Sequence, residues 1–482
     1  MEQNKQLKNK AITARSEDFA QWYTDVVLKA GLVDYGSARG SMIIKPYGYA
    51  IWELIQEFLN KEFKRTGHSN VYMPTLIPES MFNKEKDHIS GFAPEALWVT
   101  HGGDEKLAEK LALRPTSETV FCSHFANLVK SYRDLPVLYN QWANVFRNEK
   151  TTRPFLRTCE FLWQEGHTLH ETEDEARSET IQMLNIYENM FSSVFCIPAF
   201  VGQKSEREKF AGAVDTYSVE AMMYNGYALQ AGTSHYLGTG FSKSFDIKFL
   251  GRDQKLEFPH YTSWGVSTRM LGAIVMTHGD DNGLRLPPAV APIQVVIIPV
   301  ASHKEGVLEK AREIFEDLEH HFRVKLDDSD ATPGYKFSEY EMKGVPVRIE
   351  LGPREIEAGK CIAVRRDTGE RVEIGLDLLE HVLEGLLDNI GFNLFQQAYK
   401  NRQEKTHVAK DYKEFSDIAI NKQGFIESAW CGDEACEIKV KQEFSITSRN
   451  MPFDQDEEEI KTCKCAICGR PAKKKIFWAK QY

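Results

Sequence analysis

The sequence lacks any apolar run of about eighteen residues, so no membrane-spanning helix is expected. Its opening stretch, MEQNKQLKNKAITARSEDF, carries charge but no apolar centre and little of the Arg/Ser bias of a transit peptide. A secretory leader is therefore not expected, and a cytoplasmic location is. A surplus of positive charge is also missing. Lys and Arg number 60 against 70 Asp and Glu, a net charge of −10. Such a surface does not attract nucleic acid as a whole, although a local basic track can. Cysteine is scarce and odd in number: of nine, five fall between residues 431 and 468. That crowding suits a metal site better than a disulfide framework. The remainder is ordinary, with 42% hydrophobic and 27% charged residues over 482 positions. This is the make-up of a globular protein of roughly two to four domains.

The most informative stretch is Gln141 to His167, QWANVFRNEKTTRPFLRTCEFLWQEGH. It reads as two strands joined by a basic loop. Alternation places Val145, Arg147 and Glu149 on one face of the first strand. It places Arg157, Cys159, Phe161, Trp163, Glu165 and His167 on one face of the second. Lys150, Arg153 and Pro154 fill the loop. Guanidinium groups converging beside aromatic rings can hold a polyphosphate next to an apolar floor. The planar fork of arginine gives phosphate bidentate, charge-assisted bonds.

Other segments add candidates. Ser16-Glu17-Asp18 caps an amphipathic helix through Trp22, Val26 and Val27, and a long helix follows from Pro46. Val71-Tyr72-Met73 begins a strand that stops at Pro74. In LALRPTSET (Leu111–Thr119), Pro115 suits a first helical turn with Thr116 as its cap; alternatively, Thr116 and Glu118 grip a cationic amine. Asn225-Gly226 predicts a type I′ turn between strands 217–223 and 227–232. On the return strand, Gln230, Thr233 and His235 share a face only if a bulge near Gly232 interrupts the alternation. Arg269 falls in the first turn of the helix after Tyr261–Gly265. A cation there opposes the helix dipole by about 0.3–1 kcal/mol, so an anion is expected against it.

LPPAVAP (Leu286–Pro292) marks a domain boundary. Strand and helix then alternate, which predicts a small α/β domain with a mixed sheet, ending in a helix over Leu376–Leu387. Residues 392–415 read as one polar helix and 454–461 as a solvated acidic loop. Cys431 and Cys436 with a second pair from CKCAICG have the spacing of a tetrahedral structural zinc site; three thiols compete for that pair, Cys465 and Cys468 before Gly469 fitting the turn best, with Cys463 the alternative to Cys468.

The order of these features resembles motifs 1, 2 and 3 of the class II aminoacyl-tRNA synthetases: a strand ending in Pro74, a strand pair carrying FRNE (Phe146–Glu149) and a distal Arg157, and GVSTR (Gly265–Arg269). Within that class, RPTSE, TCEFLWQEGHT, LQAGTSHYLG and SWGVSTR resemble the prolyl-tRNA synthetases over essentially the whole chain. The resemblance is to the archaeal/eukaryotic-like form, because the Glu165–Tyr217 interval is too short for the large bacterial editing insertion. It implies an α+β architecture: a class II catalytic domain with an antiparallel sheet over 1–286, an α/β anticodon-binding domain over 287–395, and a small α/β zinc-binding domain over 396–482. It implies ATP-dependent attachment of L-proline to tRNA(Pro) through prolyl-adenylate, with Mg2+ accompanying ATP, a structural Zn2+, and a cytoplasmic homodimer without membrane association.

The resemblance also assigns residues. Arg147 and Arg269 would be catalytic, Arg147 bridging the α-phosphate and the proline carboxylate, Arg269 reaching the γ-phosphate. Thr116, Glu118, Phe161, Trp163 and His235 would hold proline, and Glu149, Arg157, Thr158, Gln230 and Thr233 would join the arginines around ATP. Phe337, Glu341 and Arg348 would read the anticodon. Competing readings are a class II enzyme for threonine or serine and a non-catalytic tRNA-binding paralogue. RPTSE with SHYLG disfavours the first; Arg147, Glu149 and Arg269 together disfavour the second.

Overall fold

The computed structural model describes residues 12–84 and 96–482. Its centre is an eight-stranded sheet built from β1 (Ser69–Asn70), β2 (Val137–Phe146), β3 (Glu160–His170), β4 (Ala199–Gln203), β5 (Asp215–Met222), β6 (Ala228–Gly238), β7 (His260–Ser267) and β8 (Met451–Pro452). The spatial order is β8-β4-β5-β6-β7-β3-β2-β1. Every neighbouring pair is antiparallel except β1 with β2.

Four helices cover one face because their apolar stripes demand it, and a fifth, after the RPTSE motif, packs on the opposite face, where Phe121 stacks on His167. Helix α1 (Phe19–Lys29) starts where the Asp18 carboxylate accepts the N–H groups of Ala20 and Gln21, and buries Trp22, Tyr23, Val26 and Val27. Helix α2 (Pro46–Arg65) takes Pro46 at its first position and buries Trp52, Ile55 and Leu59. Helix α3 (Glu118–Leu128) follows the RPTSE motif. Helix α4 (Glu173–Asn189) has a Thr172/Glu175 capping box, three acids in its first turn, and packs on β6 and β7. Helix α5 (Arg269–His278) leaves β7 and carries Met270, Leu271, Ile274 and Val275 into the same core. Gly166 on β3 is required by this packing: a Cβ there would lie 2.1 Å from the Trp264 ring.

Beyond α5, a five-stranded sheet orders Val324–Leu326, Val295–Pro299, Val347–Leu351, Lys360–Arg365 and Arg371–Gly375. The first three are parallel and the last two pairings antiparallel, the mixed sheet that was expected. A four-stranded sheet near the carboxyl end combines Thr406–Ala409, Phe425–Trp430, Lys474–Ala479 and Thr447–Ser448. Among the described residues no helix is long and apolar enough to cross a membrane.

Several expected elements differ. The strand before Pro74 pairs at Ser69–Asn70, not 71–73; there Met73 is tied instead by side chains, accepting from Arg114 and donating to Gln141. The 223–227 connection is not type I′. Only Gly226 has positive φ (83°), Gly226 N–H donates to Met223 O and Met223 N–H to Tyr227 O, the pattern of a type I turn with a G1 bulge. Residues 392–415 are not one helix: α6 (Leu379–Glu404) runs continuously through 395 and ends before the 406–409 strand, and Tyr412–Asn421 is a separate helix capped by Asp411. The acidic 454–461 run folds into a short helix, Glu457–Thr462, whose N-terminus Asp456 caps.

Candidate active site

Three adjacent strands build the floor of a cavity of about 300 Å³. From β3 come Phe161, Trp163, Glu165 and His167, the alternating set read from the sequence. From β6 come Gln230, Thr233 and His235. They share a face because the expected bulge is present: Gly232 pairs with Val219 but Gln230 with the next residue, Glu220, so Ala231 is the extra residue. From β7 comes Ser263, and from the start of α5, Arg269.

At one end the cavity is cationic. Arg147, just past β2, donates from Nε and Nη2 to Pro115 O, both at 3.2 Å, and its guanidinium lies 5.4 Å from the Phe161 ring and 5.8 Å from Trp163. Arg269 donates to Leu156 O at 3.1 Å. Burial, then the guanidiniums of Arg147 and Arg157, bring the Arg269 pKa down to about 10. These cations are therefore close enough to repel one another, the field an anion relieves. Thr268, at the N-cap of α5, makes no side-chain cap bond. The first N–H groups are taken up locally instead, Arg269 N–H donating to Ser267 Oγ at 3.3 Å and Leu271 N–H to Thr268 O at 3.0 Å, so the anion site here rests on the guanidinium of Arg269.

The other end is a buried polar network. Helix α3 begins at Glu118, so the expected cap, Thr116, is displaced by Ser117, whose hydroxyl does not cap. It donates instead to Glu165 Oε1 at 2.5 Å, as does Gln141 Nε2. Thr116 Oγ1 donates to Glu118 at 2.5 Å, which aims that carboxylate along the cavity wall. Burial pushes Glu165 upward, but bonds from His167, Ser117 and Gln141 overcome it and hold the carboxyl below its ordinary value. His235 stacks on Phe210, ring centres 4.5 Å apart, and its Nδ1 meets Thr216 Oγ1 at 3.0 Å. Burial, then His167, lowers His235 to about 3, so the ring is neutral. The buried Trp163 Nε1 and Ser263 Oγ have no hydrogen-bond partner among the described residues. Orphaned donors in a cavity wall are what a bound polar molecule satisfies.

Of the residues expected from the sequence, Thr116, Glu118, Arg147, Phe161, Trp163, Gln230, Thr233, His235 and Arg269 line this cavity. Glu149, Arg157 and Thr158 do not. Glu149 and Arg157 approach each other at 3.8 Å on the adjoining loop, and the buried Thr158 hydroxyl donates to Glu160 O. Glu165 and His167, placed on this face by alternation, were given no role from the sequence, and Glu208, Phe210, Thr216 and Ser263 were not singled out. The first two continue the Phe161/Trp163 alternation, and Thr216 was available as the partner of His235 across the hairpin. Glu208 and Phe210 lie outside regular structure, where no periodicity signals them.

Phe337, Glu341 and Arg348 come together on a second cavity of about 320 Å³. The Arg348 guanidinium sits 4.3 Å from the Phe337 ring and 2.9 Å from Glu350.

The sulfurs of Cys431, Cys436, Cys465 and Cys468 lie within 4.8 Å of one another, with Cys463 outside the group. Three contacts measure 3.6 to 3.9 Å. Tetrahedral Zn–S bonds of about 2.3 Å would separate sulfurs by about 3.8 Å, so the four residues fit zinc. Partial burial opposes ionisation of Cys468, yet hydrogen bonds headed by Arg470 bring it down to about 6, toward the thiolate a metal takes.

The chain matches three family models: the tRNA synthetase class II core domain (G, H, P, S and T) over residues 98–278, the anticodon binding domain over 294–386, and the prolyl-tRNA synthetase C-terminal domain over 412–482. It is 57% identical to a proline–tRNA ligase of Clostridium botulinum over 471 residues, 98% of each chain. Proline–tRNA ligase 2 of Bacillus cereus is 57% identical, and the proline–tRNA ligase of Ruminiclostridium cellulolyticum 56%, again over 98% of each chain.

Proposed function

The chain belongs to the prolyl-tRNA synthetase family, and from that premise we infer that it joins L-proline to tRNA(Pro) at the expense of ATP. The observation that carries this reading is one cavity with guanidiniums at one end and a Thr116–Glu118 pair, aromatic rings and neutral His235 at the other. A zwitterionic amino acid beside a triphosphate needs that polarity.

In the first reaction a proline carboxylate oxygen attacks the α-phosphorus and pyrophosphate leaves. In the second, a terminal ribose hydroxyl of tRNA attacks the prolyl carbonyl and AMP leaves. Arg147 would hold the carboxylate against the α-phosphate, and Arg269 would take the γ-phosphate. Thr116 and Glu118 would accept the N–H groups of the secondary ammonium, while Phe161, Trp163 and His235 enclose the ring. Gln230 and Thr233 would contact the nucleotide, and Glu149, Arg157 and Thr158 would meet its base and phosphates from the loop. Mg2+ brought with ATP would neutralise phosphate charge. No side chain becomes covalently bonded; the work is positioning and charge stabilisation.

Cys431, Cys436, Cys465 and Cys468 would hold Zn2+ structurally, since four thiolates leave no open coordination position. Phe337, Glu341 and Arg348 would read anticodon bases by stacking and by hydrogen bonds to base edges. The three modules are assigned to 1–286, 287–395 and 396–482, and the enzyme to the cytoplasm as a homodimer.

Amino-acid-dependent ATP–pyrophosphate exchange, run with a panel including proline, threonine, serine and alanine, tests the reading. Strong exchange with proline is expected. Exchange driven best by threonine or serine, or by none, overturns it.

A further inference from the structure

Residues 204–210 carry Glu208 and Phe210 into the wall of the amino-acid cavity, yet form neither helix nor strand. Their position comes from contacts to a distant part of the chain. Ser205 Oγ donates to Glu437 Oε1 at 2.6 Å, and Ser448 Oγ donates to the same oxygen at 2.5 Å. Arg207 pairs with Glu434 at 2.7 Å. Just upstream, Lys204 and Arg449 grip the two oxygens of Glu220 at 2.8 and 2.7 Å. Lys204, Ser205, Glu220, Glu437, Ser448 and Arg449 are all buried. In water-poor surroundings such bonds fix geometry strongly, because breaking one leaves a buried polar group unsatisfied.

Glu434 and Glu437 stand on the first turns of the helix Glu434–Phe444, and Cys436 lies between them. A metal held by the four cysteines would fix the rotation and axial position of that helix, and with it both carboxylates. The contacts then run inward: Ser205 Oγ accepts the N–H of Glu208, Phe210 N–H donates to Thr216 Oγ1, and Phe210 stacks on His235.

We propose that Glu437 is a positioning residue for proline binding: the cysteine-cluster module sets the 205–210 wall of the amino-acid cavity through the Glu437–Ser205 contact. This rests on the cavity being the proline site. The module is thus part of the substrate pocket's construction rather than a remote appendage.

The test uses the full-length, zinc-loaded protein in proline-dependent exchange. Glu437→Ala is expected to raise the KM for proline about tenfold, with kcat and the KM for ATP within about twofold of wild type. Glu437→Gln should restore the proline KM, because one carbonyl oxygen still accepts both hydroxyls. A purely structural role would change kcat and both KM values together, or none of them. If Glu437→Ala fails to fold or loses zinc, Ser205→Ala takes its place, with a rise of about threefold expected. Hydrogen exchange supplies the second readout: amides of 204–210 should exchange faster after the metal is stripped by a chelator and slow again when Zn2+ is restored. An unchanged proline KM in a folded variant, or equal exchange in stripped and reloaded protein, overturns the proposal. Absence of proline-dependent exchange in the wild type overturns the functional reading instead.

Discussion

Thr216 stands directly opposite His235 in the β5–β6 pairing, Oγ1 3.0 Å from Nδ1. The same hydroxyl accepts the N–H of Phe210; with its own proton directed at Nδ1, it would leave the His235 Nε2–H as a donor for a ligand. Thr216→Val keeps the shape and removes that orientation. Proline affinity, measured by calorimetry, should fall about three- to tenfold, the worth of one buried hydrogen bond. Unchanged affinity would mean that the tautomer is set elsewhere.

Neutral His235 also predicts a pH dependence. Its pKa is lowered from 6.5 to about 3, by burial and then by His167. Between those values the unfolded chain binds a proton that the folded chain does not, so stability falls as pH drops through that window. Above pH 6.5 the contribution is fully present. Chemical denaturation of wild type and His235→Gln at pH 4.5 and 7.5 should therefore show a smaller acid loss in the variant. An equal loss would mean that His235 binds its proton as readily in the folded chain as in the unfolded one.

Arg147 touches both the aromatic floor and Pro115 O and sits at the cationic end. The role proposed for it is to neutralise charge developing on phosphorus, in which case its removal acts on the transition state more than on ground-state binding. Arg147→Ala should cost several kcal/mol, by comparison with oxyanion donors worth about 2.7–4 kcal/mol, and abolish measurable proline-dependent exchange. Near-normal exchange would remove the role.

What could be read in advance follows from periodicity. Alternation on β3 located Phe161 and Trp163, and the conflict between Gln230 and Thr233 required a bulge that the sheet contains. Cysteine spacing singled out Cys465 and Cys468 and set Cys463 aside. Of the two readings of Thr116, the cap fails and the cavity wall holds: Ser117 takes the N-cap position, and buried carboxylates draw both hydroxyls away from capping, Thr116 to Glu118 and Ser117 to Glu165. The 26-residue helix α6 spans the end of one expected helix and the start of the next, and burial of Leu387, Ile390, Leu394 and Ala398 carries it across the gap. Glu208 and Phe210 were invisible, since their places depend on Glu437, more than two hundred residues away along the chain.

The cysteine cluster makes a simple stoichiometric prediction. Cys463→Ser should retain one zinc per chain by elemental analysis, because its sulfur lies outside the group of four. Cys436→Ser should lose it and lower the thermal midpoint, since ligand binding to the folded state is folding free energy. Equal zinc in both variants would break the assignment.

Selectivity supplies the last prediction. The aromatic floor of Phe161 and Trp163 limits the size of the bound side chain, but a smaller amino acid can still enter. Each missing methylene costs only ~1–3 kcal/mol, so alanine, lacking two, should be activated at a readily measured fraction of the proline rate. The connection between β3 and β5 is filled by α4 and β4, which leaves no room for a separate hydrolytic domain there. The purified enzyme should therefore form alanyl-adenylate yet fail to deacylate alanyl-tRNA(Pro). Release of free alanine from preformed alanyl-tRNA(Pro) at a rate above the uncatalysed one would place a hydrolytic site elsewhere in the chain.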